Sequence, residues 1–279
     1  MLALSFAFAA CLGWGIGDFI GGLKSRVVPV LSVLALSCLS GLVLMAVLVA
    51  VRGMPPPADP VLFFAPAAGV VGVLGLLCLF RGMALGSMAM VAAVSATGVA
   101  LPVLMGLYGG DDPSGLQLTG MAAAVIGAVM AVREKGAGAA GASIAAGAGL
   151  AVGAALAFGS FFILIDLASG PDPLWAALLV RLSEGLCLLP VVLVTRPAMG
   201  AARCHLPAIL GVGVLDALGV YAFSLATTQG MLSVVSVVGS LYPAVTVSLA
   251  AVILRERPQR VQLAGISLAI CGIALISAG

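Results

Sequence analysis

Residues 236–243 read SVVGSLYP, and residues 95–102 read SATGVALP. In both stretches a Ser is followed by a Gly three residues later and by a Pro four residues after that, inside a long apolar run. Proline removes a backbone hydrogen bond from a helix and crowds the carbonyl four residues back, which here belongs to Gly98 or Gly239. The two stretches predict two helices that are kinked in the same way.

The composition indicates that the chain lies in a membrane. Of 279 residues, 63% are hydrophobic and 8% are charged, whereas a soluble domain has about 25% charged residues. Continuous apolar runs of the length that crosses a bilayer, about 17–25 residues, recur along the chain. A transmembrane barrel has short alternating segments instead. We therefore expect an all-α integral membrane protein, in a bacterial inner membrane, with the first apolar run as its first helix.

Charged or Gly/Pro-rich patches divide the chain into ten apolar segments, each long enough to span the bilayer. The nine breaks are at 24–26, 52–60, 81–86, 109–115, 133–142, 169–173, 196–207, 227–230 and 255–260. The divisions at 81–86 and 227–230 are the weakest, because a polar kink resembles a short loop. The sequence predicts ten transmembrane helices.

The two halves of the chain repeat each other. A shift of 141 residues aligns Ser95, Gly98 and Pro102 with Ser236, Gly239 and Pro243. A shift of 145 aligns residues 111–120 (DDPSGLQLTG) with residues 256–265 (ERPQRVQLAG), and a shift of 144 aligns LGWG at 12–15 with LAFG at 156–159. We expect two five-helix units, residues 1–135 and 142–279. Because five crossings reverse the direction of insertion, the repeat should be inverted, as in many secondary transporters.

These motifs resemble a known superfamily. The stretches LGWGIGDFIGG at 12–22 and DDPSGLQLTG at 111–120, with their counterparts FGSFFILID at 158–166 and ERPQRVQLAG at 256–265, look like the EamA-type repeats of the drug/metabolite transporter superfamily. The resemblance implies ten helices, a central cavity between the halves and movement of small solutes, often export of amino acids or other metabolites. The acidic residue that follows the fourth helix in such repeats is Glu256 in the second half and Asp111 in the first. Arg257 matches the basic residue that often comes next, and Asp112 does not.

The basic residues predict the orientation. Ten of the twelve lie in the odd-numbered predicted loops, Arg52 is the one in the even-numbered loops, and Arg181 lies inside a helix. Basic loops stay cytoplasmic, so we expect both termini outside.

Three charged residues fall inside predicted helices. Arg181 and Glu184 lie in the seventh helix and Asp216 in the eighth, where a charge costs at least ~2.5–3.5 kcal/mol. The shift of 144 places Ser37 and Ser40 opposite Arg181 and Glu184, so this charge belongs to the second half only. We expect Arg181 to orient an anionic substrate group or one of the acids, and Glu184 or Asp216 to carry any proton coupling. The alternative is a buried ion network that locks two helices together.

Other polar and aromatic residues complete the candidate substrate site: Trp14, Tyr221, Gln229 and Tyr242. Trp14 and Phe158 are equivalent in the two halves, as expected for facing cavity walls. Residues of the paired kinks, Ser95, Gly98, Pro102, Ser236, Gly239 and Pro243, are expected to line the cavity or act as hinges, unless they serve only close packing. Asp18 and Asp166 lie near predicted helix ends, where they could reach lipid headgroups.

The leading hypothesis is a secondary carrier for a small metabolite, working by alternating access. The partners expected are the substrate, the bilayer and, if transport is coupled to an ion, protons. We expect a monomer that binds no nucleic acid. A pump for lipophilic cations is an alternative that needs an acid in the cavity. Other classes are an intramembrane enzyme, for which the single His205 offers a poor base, and a non-transporting subunit. The chain has no Walker motif, no C-x-x-C pair and one His, so we expect no ATPase activity, cofactor or metal.

Overall fold

The computed structural model describes residues 1–85, 91, 94–131, 141–197, 200–253 and 260–279. These residues form helices joined by short turns and loops and contain no strand, which agrees with the predicted all-α class. The helices are α1 Leu2–Lys24, α2 Val30–Arg52, α3 Phe64–Leu85, α4 Ala100–Tyr108, α5 Gly115–Ala131, α6 Gly141–Ser169, α7 Pro173–Thr195, α8 Leu206–Thr227, α9 Leu232–Gly239, α10 Tyr242–Ile253 and α11 Arg260–Ala278. Short helical turns, Pro60–Phe63, Thr97–Val99 and Gly200–Arg203, precede α3, α4 and α8.

Six helical segments in the described part of the chain are long and apolar enough to cross a membrane. They are Leu2–Lys24, Val30–Arg52, Pro60–Leu85, Gly149–Ser169, Pro173–Thr195 and Leu206–Thr227. Four shorter apolar segments accompany them, Val94–Tyr108, Gly115–Gly127, Leu232–Thr246 and Leu263–Ile276. The chain is therefore a multi-pass membrane protein.

The helix ends follow from local sequence. The carboxylate of Asp172 caps α7, because its Oδ1 accepts hydrogen bonds from the backbone N–H groups of Leu174 at 2.9 Å and Trp175 at 3.1 Å. Pro173 starts the helix, a position where proline loses no helical hydrogen bond. At the C-terminal end of α2, the helix stops at Gly53. The φ of Gly53 is 67°, a left-handed value that favours glycine.

The helices differ from the prediction at one break and agree with it at another. α3 continues through the predicted break at 81–86 as far as Leu85, so Arg81 lies within the helix and does not end it. Residues 86–90, like the acidic and basic pair Glu256 and Arg257, lie outside the described residues. The break at 227–230 is real: α8 ends at Thr227 and α9 begins at Leu232.

The paired Gly–Pro motifs interrupt helices instead of bending them. Before Pro102 the chain tightens into the short turn Thr97–Val99. Before Pro243, α9 ends at Gly239 and α10 begins at Tyr242, so the proline occupies the first turn of a new helix. Both interruptions fall within the five residues that precede the proline.

Helix packing follows a reciprocal pattern between the two halves. α3 packs extensively on α6, and α1 packs extensively on α8. In the same way, α2 contacts α8 and α3 contacts α7. α5 and α11 form another large contact, in which Gly120 approaches Gly272 and Gly127 approaches Gly265. Small residues allow such close helix approach in membranes.

Buried apolar side chains form two clusters. One includes Ala3, Val49 and Leu174 and reaches the Arg52 end, where Arg52 and Asp172 meet. The other includes Leu34 and Ile209 and reaches the Lys24 end, where Lys24 meets His205. Members of both clusters border a cavity.

Candidate functional site

The cavity lies at mid-helix depth and encloses about 450 Å³ of space not filled by atoms, part of it open to solvent. Side chains from both halves of the chain line it. These residues are Trp14, Asp18, Gly72, Leu76, Phe158, Phe161, Phe162, Arg181, Glu184, Asp216, Val220 and Tyr242. A smaller cavity of about 260 Å³ shares Trp14, Asp18, Leu76 and Asp216 and adds residues such as Leu34 and Phe80. The open space therefore continues from the main cavity toward the Lys24 end.

One wall of the cavity carries an ion cluster. The Nη1 of Arg181 lies 2.8 Å from Oε2 of Glu184 and 2.6 Å from Oδ2 of Asp216. Arg181 and Glu184 share a face because they are three residues apart on α7, and Asp216 approaches from α8. The side chains of Arg181 and Glu184 are 2% and 3% exposed, whereas that of Asp216 is 20% exposed toward the cavity. The structure thus brings all three predicted charges together.

α2 supplies the small residues that make room for this cluster. The Sγ of Cys38 lies 3.7 Å from the carbonyl oxygen of Arg181 and 4.0 Å from Oε2 of Glu184. A Cβ added to Gly41 would lie 3.3 Å from Cδ of Arg181. These small side chains of α2 leave space for the guanidinium of Arg181 and the carboxylate of Glu184.

Asp18 is placed differently from the sequence expectation. It is 9% exposed and lines both cavities, instead of reaching the headgroup region from a helix end. Six more residues of α1 follow before the helix ends at Lys24, and they carry Asp18 inward. Asp166, in contrast, is half-buried on α6 and does not line either cavity.

Aromatic rings form the rest of the wall. The ring of Trp14 is 5.6 Å from that of Phe162 and meets Phe161 edge-on at 6.4 Å. Phe158 meets Tyr242 edge-on at 6.4 Å. Trp14, predicted as a substrate residue, and Phe158, its equivalent in the other half, therefore both reach the cavity.

Glycines on the partner helices make space for the two equivalent aromatic residues. A Cβ on Gly219 of α8 would lie 2.7 Å from Nε1 of Trp14, and a Cβ on Gly75 of α3 would lie 2.7 Å from Cε1 of Phe158. Gly75 and Gly219 are themselves related by the shift of 144. The two aromatic walls are thus built by the same local packing in each half.

The remaining predicted substrate residues divide into two groups. Tyr242 lines the cavity, and its hydroxyl lies 3.4 Å from the hydroxyl oxygen of Ser95. Tyr221 packs beside the apolar cluster at the Arg52 end, and Gln229 is exposed between α8 and α9. The structure does not bring Tyr221 or Gln229 to the cavity.

The predicted hinge glycines lie at close helix contacts just behind the cavity. Gly98 lies against the backbone of Ala155 on α6, and Gly239 lies against the rings of Phe223 and Trp14. The neighbouring Ser236, Pro102 and Pro243 are buried and do not line the cavity.

The Arg52 end is closed by polar contacts between α2 and α7. Arg52 donates from Nη1 and Nη2 to the two carboxylate oxygens of Asp172, at 3.0 and 2.6 Å. The indole of Trp175 donates to the carbonyl of Met54 at 3.2 Å. Partial burial would raise the pKa of Asp172, but its hydrogen bonds to Arg52 and to the amides of Trp175 and Leu174 outweigh that effect and lower the pKa.

Sequence reasoning missed the inward-facing Asp18 and the rings of Phe161 and Phe162. The spacing of Trp14 and Asp18, four residues apart, was the available signal, because such residues share a helix face. An aromatic residue in a hydrophobic run carries no comparable signal, since all of its neighbours are apolar.

Comparisons with known proteins agree with this architecture. The model of a family described as the EamA-like transporter family matches residues 1–133 and 145–278. A solved structure, described only as the crystal structure of a protein, aligns with 99% of this chain and 98% of its own at a TM-score of 0.80 and 16% identity. At that identity the likeness concerns the fold alone. None of the curated proteins compared matches the chain.

Proposed function

Because the chain belongs to the EamA-like transporter family of the drug/metabolite transporter superfamily, we propose that it is a secondary transporter that exports a small metabolite by alternating access. The proposal rests on the membrane-embedded cavity, which has walls from both halves and charged groups at its centre. The cavity is complete within one chain, which supports a monomer as the working unit.

The reciprocal packing of the two halves supports an inverted repeat. The first helix of each half packs on the third helix of the other half, α1 on α8 and α6 on α3. The glycine contacts of Trp14 and Phe158 are also equivalent. In such repeats the two halves exchange conformations, so that a central site opens first to one side and then to the other. We infer ten crossings, with the four shorter apolar segments completing the six long ones.

We infer that the Lys24 end is cytoplasmic and that both termini are outside, on the basis of the basic-residue bias. The smaller cavity extends toward the Lys24 end, while the Arg52–Asp172 pair closes the opposite end. This arrangement corresponds to an inward-facing shape. A fluorescent protein that folds only in the cytoplasm, fused to the C-terminus, should remain dark; bright fluorescence would reverse the orientation.

We further propose that protons couple transport through Asp216 or Glu184, the acids that share Arg181. Asp216 is the better candidate because its side chain is partly open to the cavity. Asp216→Asn should keep exchange between equal solute pools and lose accumulation driven by a pH gradient. Unchanged accumulation would exclude Asp216 as the coupling site, and a variant that does not fold would favour a structural role for the ion cluster.

Uptake by purified protein in liposomes tests the function itself. Amino acids, nucleosides, sugars and organic cations are offered at equal concentration, with protein-free liposomes as the baseline. Saturable uptake of one class supports a carrier. Uptake at baseline for every class would favour a non-transporting subunit or an intramembrane enzyme.

A further inference from the structure

We propose that the cavity binds an organic cation with an apolar body, and that Asp18 is its counter-ion. This inference names the substrate class for the proposed transporter and uses the same cavity. It rests on three observations: the charge around the cavity, the lack of a partner for the Asp18 carboxylate among the described residues, and the aromatic walls.

The charge around the cavity favours a positive ligand. Arg181 is the only basic residue lining it in the described part of the chain, and two carboxylates, those of Glu184 and Asp216, already lie within 2.8 Å of its guanidinium. A substrate carboxylate would add another negative group around one positive charge. Electrostatic repulsion from the acids would therefore oppose binding of an anion.

Asp18 has no comparable partner. No residue in the described part of the chain forms a hydrogen bond or an ion pair with its carboxylate. The residue is nine-tenths buried and borders both cavities. A buried carboxylate is costly unless it is paired, so the open space beside Asp18 is the place where a cation would be stabilised.

The aromatic walls suit the apolar part of such a ligand. Trp14 lies one helical turn before Asp18 on α1, and Phe161 and Phe162 pack around its ring. A cation over the face of an aromatic ring is attracted by the ring's quadrupole, most strongly over Trp. Apolar groups on the ligand would contact Leu76 and Val220, which also border the cavity.

Isothermal titration of the purified protein in lipid nanodiscs tests this inference. The probes are benzyltrimethylammonium, an aromatic cation, and phenylacetate, an aromatic anion of similar size. We expect the cation to bind and the anion to show no saturable heat. Binding of phenylacetate with equal or higher affinity, or absence of cation binding, would overturn the proposal.

Variants test the role of Asp18. Asp18→Asn keeps the shape and removes the charge, and we expect it to weaken cation binding by about tenfold or more, as for loss of one partner of a buried charge pair. Asp18→Glu should recover part of the affinity. Asp166→Asn, which neutralises an acid outside the cavity, is the matched control and should leave affinity unchanged. Equal affinity in Asp18→Asn and the parent would contradict the assignment.

A second variant keeps the test informative if Asp18→Asn does not fold. Trp14→Leu retains an apolar side chain and removes the ring, so it should lower the affinity for the cation severalfold. An unchanged affinity would contradict the proposed site. The transport function and the cation site are refuted by different results. Asp18-dependent binding without uptake into liposomes would refute the carrier and leave the cation site standing, whereas uptake of another class alone would refute the cation site.

Discussion

At the scale of single residues, the ion cluster on α7 and α8 has the largest energetic consequence. Arg181 is 2% exposed and its charge is balanced by Glu184 and Asp216 within 2.8 Å. The cost of removing the guanidinium from water is offset by its close contacts with these acids. Loss of the guanidinium leaves buried acids without a counter-charge.

Arg181→Met should therefore lower the free energy of unfolding by roughly 3–5 kcal/mol, the cost of breaking a buried pair. Thermal unfolding in detergent measures the change. Arg52→Met is the matched control, because it removes the partly exposed pair with Asp172 and should cost about 1 kcal/mol or less. Equal effects of the two variants would contradict the buried character of the cluster.

The sequence allowed the cluster to be predicted, because Arg181 and Glu184 are three residues apart on one helix. It did not allow the environment of Asp18 to be predicted. A position six residues before a helix end is compatible with either headgroups or a cavity, and the choice depends on how α1 packs against α8. The position of Gln229 outside the cavity depends likewise on where α8 ends.

At the scale of elements, Asp172 joins two functions at the start of α7. Its carboxylate caps the helix and pairs with Arg52 of α2. The cap needs only a side-chain oxygen, whereas the ion pair needs a negative charge. Substitutions can therefore separate the two contributions.

Asp172→Asn should keep the cap and lose the ion pair, and Asp172→Ala should lose both, costing about 0.5–2 kcal/mol more. Because the pKa of Asp172 is lowered in the folded protein, the charge-dependent stability is fully present above its ordinary value of 3.8 and is lost as pH falls through the lowered pKa. Unfolding midpoints of the parent and Asp172→Asn should converge once the pH lies below the lowered pKa of Asp172. A difference that persists there would contradict this reading of the pair.

The two Gly–Pro interruptions should differ in their tolerance of a side chain. At Gly98 a Cβ would meet the backbone of Ala155, which cannot move aside, whereas at Gly239 it would lie 3.2 Å from the ring of Phe223. Gly98→Ala should cost about 1–3 kcal/mol and more than Gly239→Ala, as measured by thermal unfolding. Gly211→Ala is the control, since nothing lies within 4 Å of its added Cβ; an equal cost at Gly98 and Gly211 would contradict the close contact with α6.

Most breaks between elements could be predicted from the sequence because proline and glycine act locally. The division at 227–230 and the shared Gly–Pro interruption are examples. The extension of α3 through Arg81 could not be predicted, because a single arginine near a helix end has a long apolar stem and is tolerated in a helix.

At the scale of the whole molecule, the cavity is closed toward one end of the bundle and extends toward the other. The Arg52 end is closed by an ion pair and an indole hydrogen bond between α2 and α7, and the smaller cavity leads toward the Lys24 end. The matched spacings in the sequence predict two halves that face each other across a cavity. The register of α2 against α7 and the direction in which the cavity opens depend on how the two halves pack together. The sequence pattern alone does not predict them.

Two-sided labelling of a cavity residue tests alternating access most directly, without knowledge of the solute. The six native cysteines are replaced, and Leu76, which borders both cavities, is changed to Cys. A membrane-impermeant cationic thiol reagent is added to one face of oriented membrane vesicles at a time. A separate variant with a cysteine at Gln229, in the loop between α8 and α9, is the control and should react from one face only. The account predicts that Leu76→Cys reacts from both faces, because the cavity opens to each side in turn. Reaction of the Leu76→Cys protein from one face only would contradict alternating access through this cavity.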